Sequence, residues 1–354
     1  MIRIAMLGCG RIAKRHADLL GNGRIAGATL AAVCDLDPAR VQAFADLYRV
    51  PGFGSLAEML TQTDIDAVSI LTPSGLHASH AIEVANSKRH VIVEKPMALT
   101  LADATAMIEA SRAAGVRLFV VKQNRFNVPV LKAREALEAG RFGKLALGTV
   151  RVRWCREQAY YDQDRWRGTW ALDGGILANQ ASHHIDMLSW FMGEVTSVHA
   201  RGLTALVDIE AEDTAVATLK FANGALGVIE ATGAARPKDM EGSISVLGSG
   251  GAVEIAGFAM NKIRTWQFTT PLASDQMVTE VYSVNPPNVY GFGHQAYYEH
   301  VVKCLEFNEP AIVDGTEGRR SLELVSALYE SMASGVEVAL PFQTRQSRLG
   351  QRTP

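Results

Sequence analysis

Five short apolar runs, Arg3 to Leu7, Leu30 to Cys34, Ala67 to Leu71, His90 to Val93 and Arg117 to Val121, alternate with helical patterns from residue 1 to about 122. Strands separated by single helices through short connections cannot pair as hairpins. They form a parallel sheet wrapped by helices on both faces. Each run stops where polar, Gly or Pro residues begin, at Gly8, Asp35, Thr72-Pro73, Glu94-Lys95-Pro96 and Lys122-Gln123-Asn124. Ligands of such sheets sit beyond the carboxyl ends of the strands, so these five ends form one candidate site.

The first run enters Gly8-Cys9-Gly10-Arg11-Ile12-Ala13. Gly8 permits a tight turn, Gly10 lets backbone approach a pyrophosphate, and the small Ala13 lets the following helix pack on the sheet. The helix N-terminus then faces the phosphates. Asp35, ending the second run, suits a pair of ribose hydroxyls and repels a 2′-phosphate, which favours NAD over NADP; nearby Arg40 is the residue that could accept that phosphate. A Rossmann dinucleotide-binding domain over 1–122 is expected.

Beyond residue 125 the pattern changes. A helix-like stretch from Pro129 to Gly140 precedes period-2 strands at Leu147 to Trp154, and an amphipathic stretch runs from Ile176 to Met192. Further strands are expected at Ser197 to Thr204, Thr214 to Phe221, Leu226 to Thr232, Gly242 to Leu247, Ala252 to Ile255 and Lys262 to Phe268. Short turns such as Ala222-Asn223-Gly224 point to a large, mainly antiparallel sheet. The chain therefore reads as α/β, with an α+β substrate-binding and oligomerisation domain over 123–354. Two closing helices, about Gln295 to Phe307 and Thr316 to Ser334, fit the surface of either domain.

The 354 residues carry 35 basic and 37 acidic side chains, which leaves no electrostatic footprint for nucleic acid or an anionic membrane. Cysteines 9, 34, 155 and 304 have no metal spacing and read as buried apolar residues in a reducing compartment. No leader pattern and no apolar run of membrane-spanning length is seen, so a cytoplasmic protein is expected.

Two constellations carry chemistry. Pro96 holds Lys95 at the sheet rim, where an ammonium can orient a substrate hydroxyl and favour its deprotonation. In Asp173-Gly174-Gly175 through Asp186, helical spacing puts Asn179, His183 and Asp186 on one face, with His184 about a hundred degrees away. An imidazole there suits a general base, and a satisfied hydrogen-bonding cluster is the structural alternative. The adjacent, diverging His183 and His184 complete no ligand set, so no metal is expected.

Together, the Gly8-Cys9-Gly10 turn, Thr72-Pro73 with His77, Glu94-Lys95-Pro96, and Gly174-Gly175 leading to His183 and Asp186 resemble the Gfo/Idh/MocA oxidoreductase family over nearly the whole chain. The resemblance implies catalytic roles for Lys95 and His183. It departs at Asn179, which stands where the family has an acid, and at Ala181, which replaces a glycine; Asn179 is expected only to orient substrate. With the strand ends, the resemblance implies cofactor contacts from Gly8, Gly10, Arg11, Ile12, Asp35, Arg40, Thr72, Pro73, His77, Glu94, Lys95, Asn124, Trp166 and Arg167. Within the family, residues 121–127 and the aromatic, arginine-rich stretch from Arg151 to Trp170 are most similar to the WlbA-type enzymes, which oxidise C3 of UDP-N-acetylglucosaminuronate on the way to surface-polysaccharide sugars. That likeness implies a nucleotide-sugar substrate held by Lys95, Arg125, Tyr160, Arg165, Asn179, Ser182, His183, Arg236 and Tyr290, because a diphosphate and a carboxylate call for arginines of bidentate reach. The alternatives are an inositol or free-sugar dehydrogenase, or a cofactor-bound sensor without catalysis. An open sheet face would make the chain a homo-oligomer, a dimer or tetramer.

Overall fold

In the computed structural model, which describes residues 1–257, 260–283 and 291–351, the chain divides into two units. The first comprises residues 1–122 and 294–320. Its sheet contains β1 (Ile2–Leu7), β2 (Ala28–Cys34), β3 (Gly52–Phe53), β4 (Ala67–Ile70), β5 (His90–Val93) and β6 (Leu118–Val120). They lie in the order β3-β2-β1-β4-β5-β6 with every pair parallel. The topology is that of a Rossmann domain. Chain order reverses between β1 and β4, so the carboxyl ends of these two strands flank the crevice that such a sheet offers a ligand. Ile4, Ala5, Met6, Val68 and Val91 are fully buried, as strands covered on both faces must be.

Residues 294–320, whose helical pattern fits the surface of either domain, join this unit. Tyr297 and Tyr298 bury their rings completely, Arg117 donates to the carbonyls of Cys304 and Glu309, and Phe119 bridges Asp314. An amphipathic helix states that it has an apolar face, but not which surface receives it.

The second unit, residues 123–293 and 321–354, is built on an eight-stranded sheet. Its strands are β7 (Leu145–Arg153), β8 (Val195–Leu203), β9 (Thr214–Phe221), β10 (Leu226–Thr232), β11 (Glu241–Gly248), β12 (Gly251–Ala256), β13 (Lys262–Phe268) and β14 (Val338–Ala339), ordered β13-β12-β11-β7-β10-β9-β8-β14. Among the described residues of this sheet only β7 and β10 pair in parallel. The helix Ser182–Met192 packs on one face: a Cβ at Gly148 of β7 would lie 2.6 Å from Met192 and 2.7 Å from Leu188. The opposite face carries Val216, Leu226, Val228 and Leu247, each more than a third exposed. The two-residue strands β3 and β14 and the helix Asp275–Val281 were not foreseen, since two residues show no periodicity. Cys9, Cys34 and Cys304 are buried as expected, whereas Cys155 is half-exposed. Among the described residues no helix is long and apolar enough to cross a membrane.

Candidate active site

In the first unit Gly8 has φ +102°, and a Cβ there would lie 2.9 Å from the Leu71 carbonyl, so glycine is required twice over. Gly10 caps the helix Arg11–Leu20, and a Cβ on it would meet nothing within 4 Å. Gly10 has no side chain to cap that helix and no acid stands in its first turn, so the helix start suits an anion. Arg11 is exposed and Ile12 half-buried at the same end. Asp35 accepts the amide of Cys9 at 2.6 Å and that of Asp37 at 2.9 Å, which ties the end of β2 to the glycine turn. Arg40 is 3.3 Å from Asp37. This open cradle, with a carboxylate at the next strand end, fits a dinucleotide.

His77 joins two of the strand ends. One ring nitrogen lies 2.8 Å from the Pro96 carbonyl and the other 2.8 Å from that of Thr72. Burial pushes the ring's pKa down, against the pull of the two carbonyls. Pro73 opens the short turn 74–76 that leads into the helix of His77, and Thr72 Oγ1 is 3.1 Å from His80. Glu94 is buried, and its carboxylate accepts the Lys95 amide at 2.9 Å.

In the second unit, the helix expected from Ile176 begins only at Ser182. Asn179 therefore lies in the preceding turn, off the helical face of His183 and Asp186. Its amide donates to Asp173 at 2.7 Å, while the other Asp173 oxygen accepts from Gly168. Gly174 has φ +83°, and a Cβ on Gly175 would lie 2.2 Å from the Glu212 carbonyl; the glycine pair lets this turn close on the segment before β9. Ser182 is buried and donates to the Asn179 carbonyl. His183 is half-buried, with Nε2 3.0 Å from the Gln123 amide nitrogen. His184 is fully buried, edge-on to Trp154, and burial pushes its pKa down to about 4.

Several of the expected substrate contacts have partners within the protein. Arg125 is 3 % exposed and forms a bidentate pair with Asp186 while stacking on Trp190, so it braces the short helix Gln123–Phe126 against the helix of His183. Asp186 correspondingly faces Arg125. Arg236 directs its donors to the carbonyls of Gly233, Ala235 and Arg156 and holds a loop. Arg167 stacks on Tyr160 and Trp166, pairs with Asp164 and donates to the Tyr160 hydroxyl. Arg165 is exposed and lines a cleft of about 640 Å³ together with Asp162, Asp164 and Glu210. Asn124 is half-buried on the Gln123–Phe126 helix, and Tyr290 lies outside the described residues. Gln123 and Asp173, the partners of His183 and Asn179, are not among the site residues expected from the sequence. A polar residue directly after a strand end, and an acid before a glycine pair, were the available signals.

Comparison with known proteins decides the family. The profile described as "Oxidoreductase family, NAD-binding Rossmann fold" matches residues 2–122, and "Oxidoreductase family, C-terminal alpha/beta domain" matches 134–340. The chain belongs to the Gfo/Idh/MocA oxidoreductase family. This Gfo/Idh/MocA protein is 43% identical to the WlbA dehydrogenase of Bordetella pertussis, solved with NADH and UDP-GlcNAcA, over 97% of this chain and 98% of that one, with a TM-score of 0.89. The WlbA enzyme of Chromobacterium violaceum, in the same complex, is 42% identical over 97% and 96%, with a TM-score of 0.90. Myo-inositol 2-dehydrogenase of Thermotoga maritima is 32% identical over 96% of this chain and 98% of its own. The chain is an NAD-dependent dehydrogenase acting on a CH–OH group.

Proposed function

We propose that the chain oxidises the C3 hydroxyl of a UDP-linked uronic acid, UDP-N-acetylglucosaminuronate, to the 3-keto sugar in the synthesis of surface-polysaccharide sugars. The observation that carries this reading is the whole-length likeness, at 42 and 43% identity, to two enzymes crystallised with UDP-GlcNAcA. Gly8, Gly10 and Asp35 hold the dinucleotide, which accepts the C3 hydride. His183 takes the hydroxyl proton, and the contact of its Nε2 with the Gln123 side-chain amide, at 3.0 Å, orients the ring. Lys95 holds and polarises the oxygen whose negative charge grows as the proton leaves. Asn179, whose side-chain amide donates to Asp173, orients a substrate hydroxyl. Arg165 and Tyr160 are the expected substrate contacts that keep this assignment, and Arg125 and Arg236 leave it.

The 32% identity to an inositol dehydrogenase supports a second reading, oxidation of a free polyol. Reduced-nicotinamide absorbance measured against UDP-N-acetylglucosaminuronate, UDP-N-acetylglucosamine and myo-inositol separates the two. The uronate is expected to give the highest kcat/KM, because cationic groups meant for its carboxylate are left unpaired by neutral sugars at a cost of about 1–3 kcal/mol. Equal or better oxidation of myo-inositol overturns the nucleotide-sugar reading. The apolar positions Val216, Leu226, Val228 and Leu247 on one sheet face support a homo-oligomer, which light scattering tests.

A further inference from the structure

Beneath the Glu94-Lys95-Pro96 turn, the first unit buries a run of polar side chains that the proposed chemistry does not use. One Glu94 oxygen, Oε2, accepts the Lys95 amide at 2.9 Å, and the other, Oε1, lies 3.1 Å from His16 Nε2. His16 Nδ1 is 2.6 Å from the Tyr298 hydroxyl, which is 3.0 Å from Ser69 Oγ. Glu94, His16, Tyr298 and Ser69 are all buried. His294 stands edge-on to His16 at 5.2 Å, with Nε2 3.9 Å from Glu94 Oε1.

The order of donors follows from the ends of the chain. An ionised carboxylate only accepts, so His16 Nε2 carries a proton, and in the Nε2–H tautomer Nδ1 is the acceptor. The Tyr298 hydroxyl then donates to Nδ1 and accepts from Ser69. Ser69, Tyr298, His16 and Glu94 thus form a series with one direction, and the Lys95 amide donates into the same carboxylate. In a water-poor interior each such bond polarises the next. Burial works against the charge on Glu94, but His16 and His294 outweigh it and hold the carboxyl well below the usual range.

His16, Glu94 and His294 bring possible ligand atoms within 4.8 Å of one another, which a metal site would also do. Both nitrogens of His16 and Oε2 of Glu94 are, however, already taken up in hydrogen bonds. The elements joined are the dinucleotide-facing helix Arg11–Leu20, strand β4, the turn after β5 and the helix Gly293–Phe307. We propose that His16 and Tyr298 are positioning residues: by orienting Glu94 they fix the backbone of Lys95, and with it the stem of the ammonium, at the end of β5. The inference rests on the assignment of Lys95 to catalysis, and the test separates the two.

The test is a double-mutant cycle on whichever sugar the enzyme turns over, with NAD binding followed by protein fluorescence. His16→Leu and Tyr298→Phe are each expected to lower kcat about tenfold, as misplacement of a reacting group does, with NAD affinity within about twofold of the parent. His16→Gln, whose amide nitrogen reaches the Nε2 position, is expected to recover most of the loss. On a Lys95→Ala background, His16→Leu is expected to add nothing. Parent-like kcat in both His16→Leu and Tyr298→Phe, or the same loss on both backgrounds, overturns the positioning role. Parent-like kcat in Lys95→Ala itself overturns the catalytic assignment instead. Nitrogen NMR of the histidines reads the series without turnover: His16 is expected as the Nε2–H tautomer, and the Nδ1–H form overturns the proposal. So does one equivalent of tightly bound metal that is lost in His16→Gln.

Discussion

Arg125 and Asp186 face each other through two hydrogen bonds of 2.8 Å, with both side chains buried. The pair joins the start of the second unit to the helix that carries His183. Removing one partner leaves the other charge buried without its counter-charge, which costs about 3–5 kcal/mol. Asp186→Ala is therefore expected to lower the denaturation midpoint substantially, and Arg125→Met to do so as well. Parent-like midpoints in both variants would return Arg125 to the substrate contacts.

Lys95 and His183 are expected to lose about a hundredfold or more in kcat on replacement by alanine, in the range of general acid-base effects, while NAD still binds. His184→Ala is the contrasting control. His184 is buried against Trp154, so its loss is expected to appear in stability, by roughly 2–4 kcal/mol, and little in kcat. Steady-state kinetics beside thermal melts distinguish the two classes, and near parent turnover in the Lys95 and His183 variants would remove them from the mechanism.

His184 and Glu212 set opposing pH dependences of stability over one window. Burial depresses His184 to about 4, below the ordinary value of 6.5, so the unfolded chain binds more protons between these values and stability falls as pH drops. Burial raises Glu212 to about 7, above the ordinary 4.5, so the folded chain binds more protons and stability falls as pH rises through that range. The two slopes largely cancel in the parent. Glu212→Gln keeps the size of a side chain that receives Leu177 and Tyr329, and removes its titration. In that variant, unfolding free energy is expected to fall by about 1.4 kcal/mol per pH unit below pH 6.5, measured by urea titration. A pH-independent variant would show that His184 titrates normally.

Asp35 is held by the amides of Cys9 and Asp37, with its carboxylate where ribose hydroxyls are expected. NAD is expected to be preferred over NADP by a few kcal/mol, about a hundredfold in kcat/KM. Asp35→Ser is expected to narrow that ratio, since Arg40, 3.3 Å from Asp37, is close by to meet a 2′-phosphate. Equal use of both cofactors by the parent chain contradicts the assignment.

Apart from the two-residue β3 and β14, the strands of both sheets are legible in the sequence because period, strand ends and turn residues are local properties: β5, β9, β10 and β13 run over the expected residues, and the others differ by a residue or two at their ends. The glycine turn and Asp35 were legible for the same reason, since a backbone conformation that excludes Cβ leaves its mark on one residue. Long-range partners were not. Helical spacing put Asn179, His183 and Asp186 on one face, yet the chain turns before Ser182, and the three side chains go to Asp173, Gln123 and Arg125. The sequence by itself determined the Rossmann sheet and the second sheet. Only the tertiary structure decided that residues 294–320 pack on the first unit, that Arg125 is an internal brace and that His16 stands under Glu94. Pairing of buried charges and polar groups depends on which distant segments meet, and many segments share the same local pattern.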